Sequence, residues 1–295
     1  MTPSQYASRY LNMNVPICEG DKFLYLRKVS LNKYVLIVGQ DATGAVVWDA
    51  LHPGNQKAYD ALGGALKDYF RTKGATLTVK VETASGRDTM IFDVWNEPWF
   101  YARKAFLGKG SPEEAQITLQ LAIRFKLATA DTIQTYCDNY LGLDCNGFVG
   151  NFLPHGWRGA DWDSDKIGAV FLANQDIVTI ATKYGTPVTK LDDIQHGPYL
   201  MAMADGNISG RPAIARFGSK GVGHILVTEP GIKVPTFFGK KLVFALRAVE
   251  ATGGGVGLIT ANCDVIDVAP DGVFRVKRWS HPAMGPLPFR IYRVT

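Results

Sequence analysis

Hydrophobic residues change their spacing along the chain, and these changes predict where strands and helices lie. Residues 33–39 and 44–48 are β-branched and aromatic runs on either side of a turn-prone segment, which is typical of strands. Residues 56–73 place apolar side chains at helical spacing, whereas residues 75–81 alternate as a strand does and residues 89–95 form a further strand-like run. The patterns predict a small α+β region over roughly the first hundred residues.

A helix is predicted to begin after Ser111. This serine is followed by Pro112 and, at the third helical position, by Glu114, which together form the sequence pattern of a capping box. Apolar residues continue at helical spacing to about residue 127, a second helix is predicted over 131–140, and strands separated by glycine turns follow from about residue 208. Because helices precede strands, the fold class predicted is α+β with an antiparallel sheet.

The composition excludes several classes of protein. With 295 residues, 46% hydrophobic and 20% charged, the chain is neither intrinsically disordered, nor collagen, nor a coiled coil. No run approaches the ~18 continuous apolar residues that a membrane-spanning helix needs, so no membrane span is expected. The net charge of +5 is spread along the chain; it suits an acidic polymer such as a bacterial cell wall or nucleic acid and is too small to choose between them, and no nucleic-acid partner is expected.

The N-terminus and the cysteines bear on the compartment. The first ten residues lack the basic start and the apolar core of a secretory signal. We therefore expect synthesis in the cytoplasm and, for any action elsewhere, a non-classical route to the periplasm or a target cell. The cysteines are scattered and the histidines lack the spacing of metal ligands, which favours reduced thiols and no metal site. The four cysteines are Cys18, Cys137, Cys145 and Cys263.

The most informative segment for chemistry surrounds Cys145. Turn residues end at Asp144, and apolar residues then follow at the spacing of one buried helical stripe, which predicts Cys145 in the first turn of a helix. The unpaired N–H groups and the positive end of the helix dipole favour a thiolate at such a position. A structural cysteine is the alternative interpretation, and it is the commoner one for a cysteine taken alone.

Two residues further along the chain supply the groups that a nucleophilic thiolate needs. His224 stands at the start of an apolar strand, and Glu250 lies near the end of the next predicted strand. On paired strands both side chains can point to one face, which gives a nucleophile, a base and an orienting acid in the chain order Cys, His, Glu.

Segments around these three residues are similar to a known family. Leu143-Asp144-Cys145-Asn146-Gly147-Phe148-Val149 resembles the Asp-Cys-Ser-Gly-Phe-Val signature of the NlpC/P60 cysteine peptidases, with Asn146 in place of serine. Residues 223–227 resemble the family's histidine strand, and residues 249–256 its third-residue strand. The chain departs from the family in lacking a Tyr-Trp-Gly-Gly element before the cysteine and a Pro-Gly-Asp turn before the histidine strand.

The resemblance implies a papain-like α+β core in which the helix carrying Cys145 packs against an antiparallel sheet carrying His224 and Glu250. It implies a catalytic domain over 106–295, with an insertion near 155–205 that lengthens the interval between cysteine and histidine. Residues 1–105 are then an N-terminal α+β region that serves delivery, binding or the shaping of the cleft.

The resemblance also implies a mechanism without metal or other cofactor. His224 would accept the thiol proton, or hold it as an ion pair, and Glu250 would orient the imidazole. Asn262 is the alternative orienting residue, since the order Cys-His-Asn also occurs in papain-like enzymes. The backbone N–H of Cys145 would hold the oxyanion. Further residues expected near the oxyanion or the substrate are Tyr136, Tyr140 and Asp144; Trp157 and Trp162 would line a groove or cover the domain's own core.

The function expected from the resemblance is hydrolysis of amide bonds in bacterial peptidoglycan, by an endopeptidase or an amidase, through a thioester acyl-enzyme. Expected partners are the peptidoglycan or peptide substrate and a cognate immunity or delivery protein. Two alternatives stay open: a toxin that uses the same triad for acyl transfer or for glutamine deamidation on a protein, and a non-catalytic binding module in which Cys145 is structural.

Overall fold

The structure of the protein is a computed structural model. It describes residues 1–35, 39–40, 46–47, 55–73, 76–162, 177–203, 207–208, 211–212, 224–231, 234–253 and 255–295.

Helices dominate the first half of the described chain. They are α1 (Pro3–Leu11), α2 (Asn55–Lys73), α3 (Asn96–Phe106), α4 (Pro112–Arg124), α5 (Ile133–Tyr140), α6 (Cys145–Asn151) and α7 (Ile177–Tyr184), with a π-helical turn at Phe152–Trp157 and a 3₁₀ turn at Leu191–Asp193. Within the described residues, no helix combines the length and the apolar character needed to cross a membrane.

Short strands occupy the N-terminal part, and a large sheet occupies the C-terminal part. The former are β1 (Met13–Glu19), β2 (Lys22–Val29), β3 (Gly39–Gln40), β4 (Val46–Val47), β5 (Leu77–Glu82) and β6 (Arg87–Phe92). The large sheet contains β7 (Gly185–Val188), β8 (Tyr199–Met203), β11 (Ile225–Thr228), β12 (Val234–Phe238), β13 (Lys241–Thr252), β14 (Gly257–Val268), β15 (Phe274–Arg278) and β16 (Leu287–Val294). Two short strands, β9 (Asn207–Ile208) and β10 (Arg211–Pro212), form a separate antiparallel pair.

The large sheet closes on itself because β13 is long enough to have different neighbours at its two ends. One edge of β13 pairs with β14, while the other pairs first with β12 and then with β11. The order β11-β8-β16-β15-β14-β13 therefore returns to β11, and each of these pairings is antiparallel. The mixed helix and antiparallel sheet content agrees with the predicted α+β class.

Alternation along the strands divides the buried side chains between two cores. On β8, Tyr199, Met201 and Met203 join the apolar filling of the barrel, whereas Leu200 and Ala202 join the core between the barrel and the helices. This is the period of two expected when both faces of a strand are covered.

The N-terminal region shares the second of these cores with the helix that carries Cys145. Tyr6 and Tyr10 of α1 contact Phe148 of α6, with ring centroids 6.1 and 6.3 Å apart, and the Tyr10 hydroxyl donates to the carbonyl of Gly110 at 3.0 Å. Asn32 accepts a hydrogen bond from the Leu258 backbone at 2.7 Å. Packing is therefore continuous across the predicted domain boundary between residues 105 and 106.

Several sequence predictions agree with the described elements. The predicted capping box forms at the start of α4, where Ser111 accepts from the Glu114 backbone and Glu114 accepts from the Ser111 backbone. Helices α2 and α5 and strands β5 and β6 lie within two residues of the predicted starts. Residues 33–35, predicted as part of a strand, form a single bridge from Tyr34 to Leu143 instead, and residues 36–38 lie outside the described residues.

The range predicted as an insertion contributes to the barrel. Within 155–205, β7 and β8 pair with β16, so these residues belong to the main sheet. Residues 163–176 of the range lie outside the described residues.

The shared core predicts a large loss of stability when α6 loses its central ring. Phe148 is fully buried, and we expect Phe148→Ala to lower the free energy of unfolding by about 3–5 kcal/mol through the lost apolar contacts and the cavity left behind. Urea denaturation measures the change. Phe237→Ala is the matched control, because Phe237 is 70% exposed and its loss should matter by no more than about 0.5 kcal/mol. Equal midpoints for the two variants would contradict the packing described.

Candidate active site

Cys145 is the first residue of α6, as the sequence predicts. Asp144 has extended backbone angles at the N-cap, and its side chain accepts a hydrogen bond from the Gly147 backbone N–H at 2.5 Å. An N-cap carboxylate satisfies one of the N–H groups that a first turn leaves unpaired. The local sequence therefore fixes the start of the helix and, with it, the position of the sulfur.

A buried loop before α4 holds α6 in place. The backbone N–H of Asp144 donates to the carbonyl of Gly108 at 3.1 Å, the Asn151 side chain donates to the carbonyl of Lys109 at 2.8 Å, and the Lys109 ammonium forms a buried ion pair with Asp144. Gly147 faces the same loop so closely that a Cβ atom there would lie 1.9 Å from the carbonyl oxygen of Gly108.

His224 and Glu250 meet at one end of the barrel. His224 directly precedes β11, Glu250 lies near the end of β13, and these strands pair through Val227 and Val249. The Nε2 atom of His224 lies 2.5 Å from Glu250 Oε2, and both side chains are buried. Glu250 therefore occupies the Nε2 side of the imidazole.

Two further groups hold the Glu250 carboxylate. Arg278, the last residue of β15, places a guanidinium nitrogen 3.0 Å from Oε2, and the Ser280 hydroxyl donates to Oε1. Burial raises the pKa of Glu250, but the bond to His224, the charge that this ring carries when it is protonated, the charge of Arg278 and the bond from Ser280 outweigh it and lower the pKa to about 2. Glu250 is therefore ionised at neutral pH.

The imidazole, by contrast, is neutral at rest. Burial lowers the pKa of His224, and the positive charge of Arg278 lowers it further, so that the neighbouring Glu250 does not restore the ordinary value. His224 is thus a free base at neutral pH.

The Cys145 sulfur lies against the start of β11. Helix α6 packs on β11 and β13, and the Ile225 backbone N–H, directly after His224, acts on the sulfur as a hydrogen-bond donor. The thiol itself donates to Asn146 Oδ1 at 3.4 Å. Among the described residues no hydrogen bond joins the sulfur to the His224 ring.

The resting group at position 145 is a thiol. Burial and the neighbouring Asp144 carboxylate raise the pKa of Cys145 to about 11, against the opposing effects of the Ile225 N–H, Lys109 and the Asn146 N–H. The expectation that the helix N-terminus makes a thiolate is therefore wrong for this state: a side chain only 5% exposed loses more from desolvation than the dipole returns.

The other residues predicted for the site occupy separate places. Tyr136 and Tyr140 of α5 pack edge to face on each other, with ring centroids 4.9 Å apart. Trp162 packs on Tyr101, which supports its interpretation as a core residue, while Trp157 is 36% exposed. None of these contacts, among the described residues, reaches Cys145.

Asn262, the alternative orienting residue, lies on β14 and pairs with Arg247 of β13. Glu250 of β13 pairs with Ile259 of β14. Asn262 is therefore three pairs away from the position that contacts His224. The structure brings Glu250, not Asn262, to the imidazole.

Tyr34 is a site residue that the sequence analysis does not identify. Its backbone bridges Leu143, and burial, followed by the proximity of Cys145 and Asp144, raises the pKa of its hydroxyl. Tyr34 stands more than a hundred positions before the cysteine, and no motif links the two, so only the tertiary structure reveals the contact.

Comparison of the chain with protein-family models, with curated proteins and with solved structures finds no match. The interpretation of the site therefore rests on its own geometry and on the sequence motif.

The tight fit of α6 against the loop predicts that a single methyl group disturbs the site. We expect Gly147→Ala to destabilise the protein by about 1–3 kcal/mol, because its Cβ meets backbone that cannot rotate away. Gly64→Ala on α2 is the matched control: nothing lies within 4 Å of that Cβ, and a helical alanine should be stabilising by about 0.5–1 kcal/mol. Thermal unfolding distinguishes them, and stabilisation in both variants would contradict the close contact.

The raised pKa of Cys145 predicts slow alkylation at neutral pH. Iodoacetamide should modify Cys145 about tenfold faster for each pH unit above neutrality, levelling off near the pKa of about 11, because only the thiolate reacts. Peptide mass spectrometry assigns the modified residue, and half-buried Cys18 should be modified before Cys145. Rapid modification of Cys145 below neutral pH would show a thiolate and contradict this assignment.

Proposed function

We propose that the protein is a papain-like cysteine hydrolase of the NlpC/P60 type, which cleaves amide bonds in bacterial peptidoglycan. The observation that supports this best is the buried hydrogen bond between His224 and Glu250 at the start of β11, the strand against which the Cys145 sulfur lies. A thiol in the first turn of a helix and an imidazole with an ionised orienting carboxylate are groups that acyl transfer requires, and the backbone N–H that acts on the sulfur is that of Ile225, directly after His224.

The protonation states favour general-base catalysis over a preformed ion pair. A neutral thiol and a neutral imidazole require the Cys145 proton to pass to Nδ1 of His224 as the sulfur attacks the amide carbon. The Glu250 carboxylate on Nε2 then stabilises the imidazolium. His224 returns the proton to the leaving amine, and water attacks the thioester, with His224 again accepting a proton.

The tetrahedral oxyanion needs donors near the sulfur. The backbone N–H of Cys145 is one candidate donor, because it belongs to the first turn of α6. The neutral hydroxyl of Tyr34, which lies next to the sulfur, is the other. Tyr34 takes the role for which Tyr136 and Tyr140 were candidates. Because Tyr34 comes from residues 1–105, cleft shaping is the role that we propose for that region.

The substrate is proposed from the sequence motif. Leu143-Asp144-Cys145-Asn146-Gly147-Phe148-Val149 resembles the signature of peptidases that act on wall peptides, and the net charge of +5 favours approach to an acidic wall polymer. The scissile bond is an amide of the stem peptide or the amide that joins the stem peptide to the glycan.

A non-catalytic binding module is the second candidate, and one observation favours it. Cys145 is 5% exposed with a raised pKa, as a structural thiol would be. The hydrolase requires that substrate binding opens access to the sulfur, whereas the module requires no such opening.

Digestion of purified peptidoglycan tests the proposal. Wild-type protein should release fragments with new amine termini, detected by mass spectrometry, while Cys145→Ala should abolish release and His224→Gln should reduce it by about 10²–10⁴-fold. Both variants should remain folded. Cys137→Ala is the matched control, since Cys137 is a second buried thiol, on α5, which donates to the carbonyl of Ser30.

Full release by Cys145→Ala would exclude the cysteine mechanism. A folded wild-type protein that releases no fragments but modifies a protein glutamine would support the deamidase alternative instead. The absence of both activities, together with unreactive Cys145, would leave the binding module.

A further inference from the structure

Glu250 has more hydrogen-bond and ion-pair partners than the orienting acid of a catalytic triad needs, since a triad requires only its contact with the histidine. The carboxylate contacts His224 on one oxygen, Arg278 on that same oxygen and Ser280 on the other. Arg278 and Ser280 are 6% and 7% exposed, so both were desolvated to reach this place. Burying an arginine costs free energy that a surface contact would avoid, which makes a purely structural reason for it weak.

The contacts constrain both the position and the charge of the acid. A carboxylate held on both oxygens cannot rotate, so Oε2 stays directed at Nε2 of His224. The guanidinium also supplies one positive charge against the one negative charge of Glu250. As seen from His224, the pair is therefore less negative than Glu250 alone would be, which weakens the attraction for a proton on the ring.

We propose that Arg278 and Ser280 are positioning residues that lock Glu250 against His224 and keep the imidazole uncharged until the thiol proton arrives. This inference deepens the proposed function and rests on it for the catalytic role of His224. It assigns functions to two residues that follow the matched motif segments and that the sequence analysis did not identify.

The charged and titratable groups around His224 come from several elements. Glu250 lies on β13, Arg278 ends β15, and His281 follows β15 with its ring nitrogen 2.8 Å from the Thr252 hydroxyl. Cys145 of α6 lies beside the start of β11, and Cys263 of β14 lies near Glu250. Of these, Glu250 raises the pKa of His224, whereas Arg278 and His281 lower it after the larger effect of burial.

Removal of the guanidinium charge gives the test. In Arg278→Gln, the Glu250 charge is no longer balanced, so the pKa of His224 should rise and the acid limb of kcat/KM should move to higher pH. At neutral pH we expect kcat to fall by about 10-fold to 100-fold, as for partners that orient metal-bound histidines. The pKa is measured by NMR of the imidazole nitrogens, with His224 assigned from the spectrum of His224→Gln.

Arg275→Gln is the matched control. Arg275 lies on the same strand and pairs with Asp267 at the surface, away from Glu250, so its loss should leave the His224 titration and kcat unchanged. An unchanged His224 titration in folded Arg278→Gln, or an equal change in Arg275→Gln, overturns the proposal.

Ser280→Ala provides a second test of the proposal, which applies even if Arg278→Gln does not fold. Loss of the hydroxyl makes the carboxylate a stronger acceptor, so the pKa of His224 should rise in this variant too, by less than in Arg278→Gln. An unchanged titration overturns the proposal. Because the titration needs no substrate, it can succeed when wall hydrolysis is absent, and it can fail while hydrolysis is present, so the two proposals are tested separately.

Discussion

The burial of one carboxylate sets the conditions for the rest of the site. Glu250 is 1% exposed at the end of a closed barrel, and an ionised group there is tolerated only with donors on its oxygens. Three side chains from different parts of the barrel supply them: His224 before β11, Arg278 at the end of β15, and Ser280 two residues later. Closure of the sheet is what brings these positions together, since β11 and β15 are not neighbours in the ring.

Desolvation also determines the protonation state of Cys145. Helix dipole, Lys109 and backbone N–H groups all favour a thiolate at position 145, yet burial and the Asp144 carboxylate favour the thiol more strongly. Asp144 is needed as the N-cap of α6, so the residue that fixes the sulfur in space also opposes its ionisation. Under the proposed function, a base that accepts the proton only during attack resolves this conflict, and His224, with its lowered pKa, would be that base.

Local patterns predicted those parts of the site that depend on local structure. The turn residues before Cys145 and the stripe after it were sufficient to predict the start of α6, and the apolar runs predicted strands beside His224 and Glu250. The choice between Glu250 and Asn262 depends on strand register, which the sequence did not determine. The contacts of Tyr34 and Arg278 depend on tertiary packing, for which the chain carries no local signal.

Elements of the fold were missed for similar physical reasons. Tyr199–Met203 of β8 is buried on both faces, so it lacks the alternation that identifies a half-exposed strand, and the range around it was interpreted as an insertion. Helix α3 has no side-chain cap at Trp95 to mark its start. Helix α1, however, has a signal that could have been used: Thr2, Pro3 and Gln5 form a capping box like that of α4.

The position of α1 changes the meaning of the N-terminal region. Tyr6 and Tyr10 are fully buried against Phe148, three residues after the nucleophile, and Tyr34 lies beside the sulfur itself. A region attached only for delivery or wall binding would have its own hydrophobic core, and the surfaces between it and the rest of the chain would be polar. Here the first thirty-five residues complete the core under α6 and one side of the site. Under the proposed function, a substrate that reaches Cys145 would therefore meet this region, whose packing also supports the position of α6.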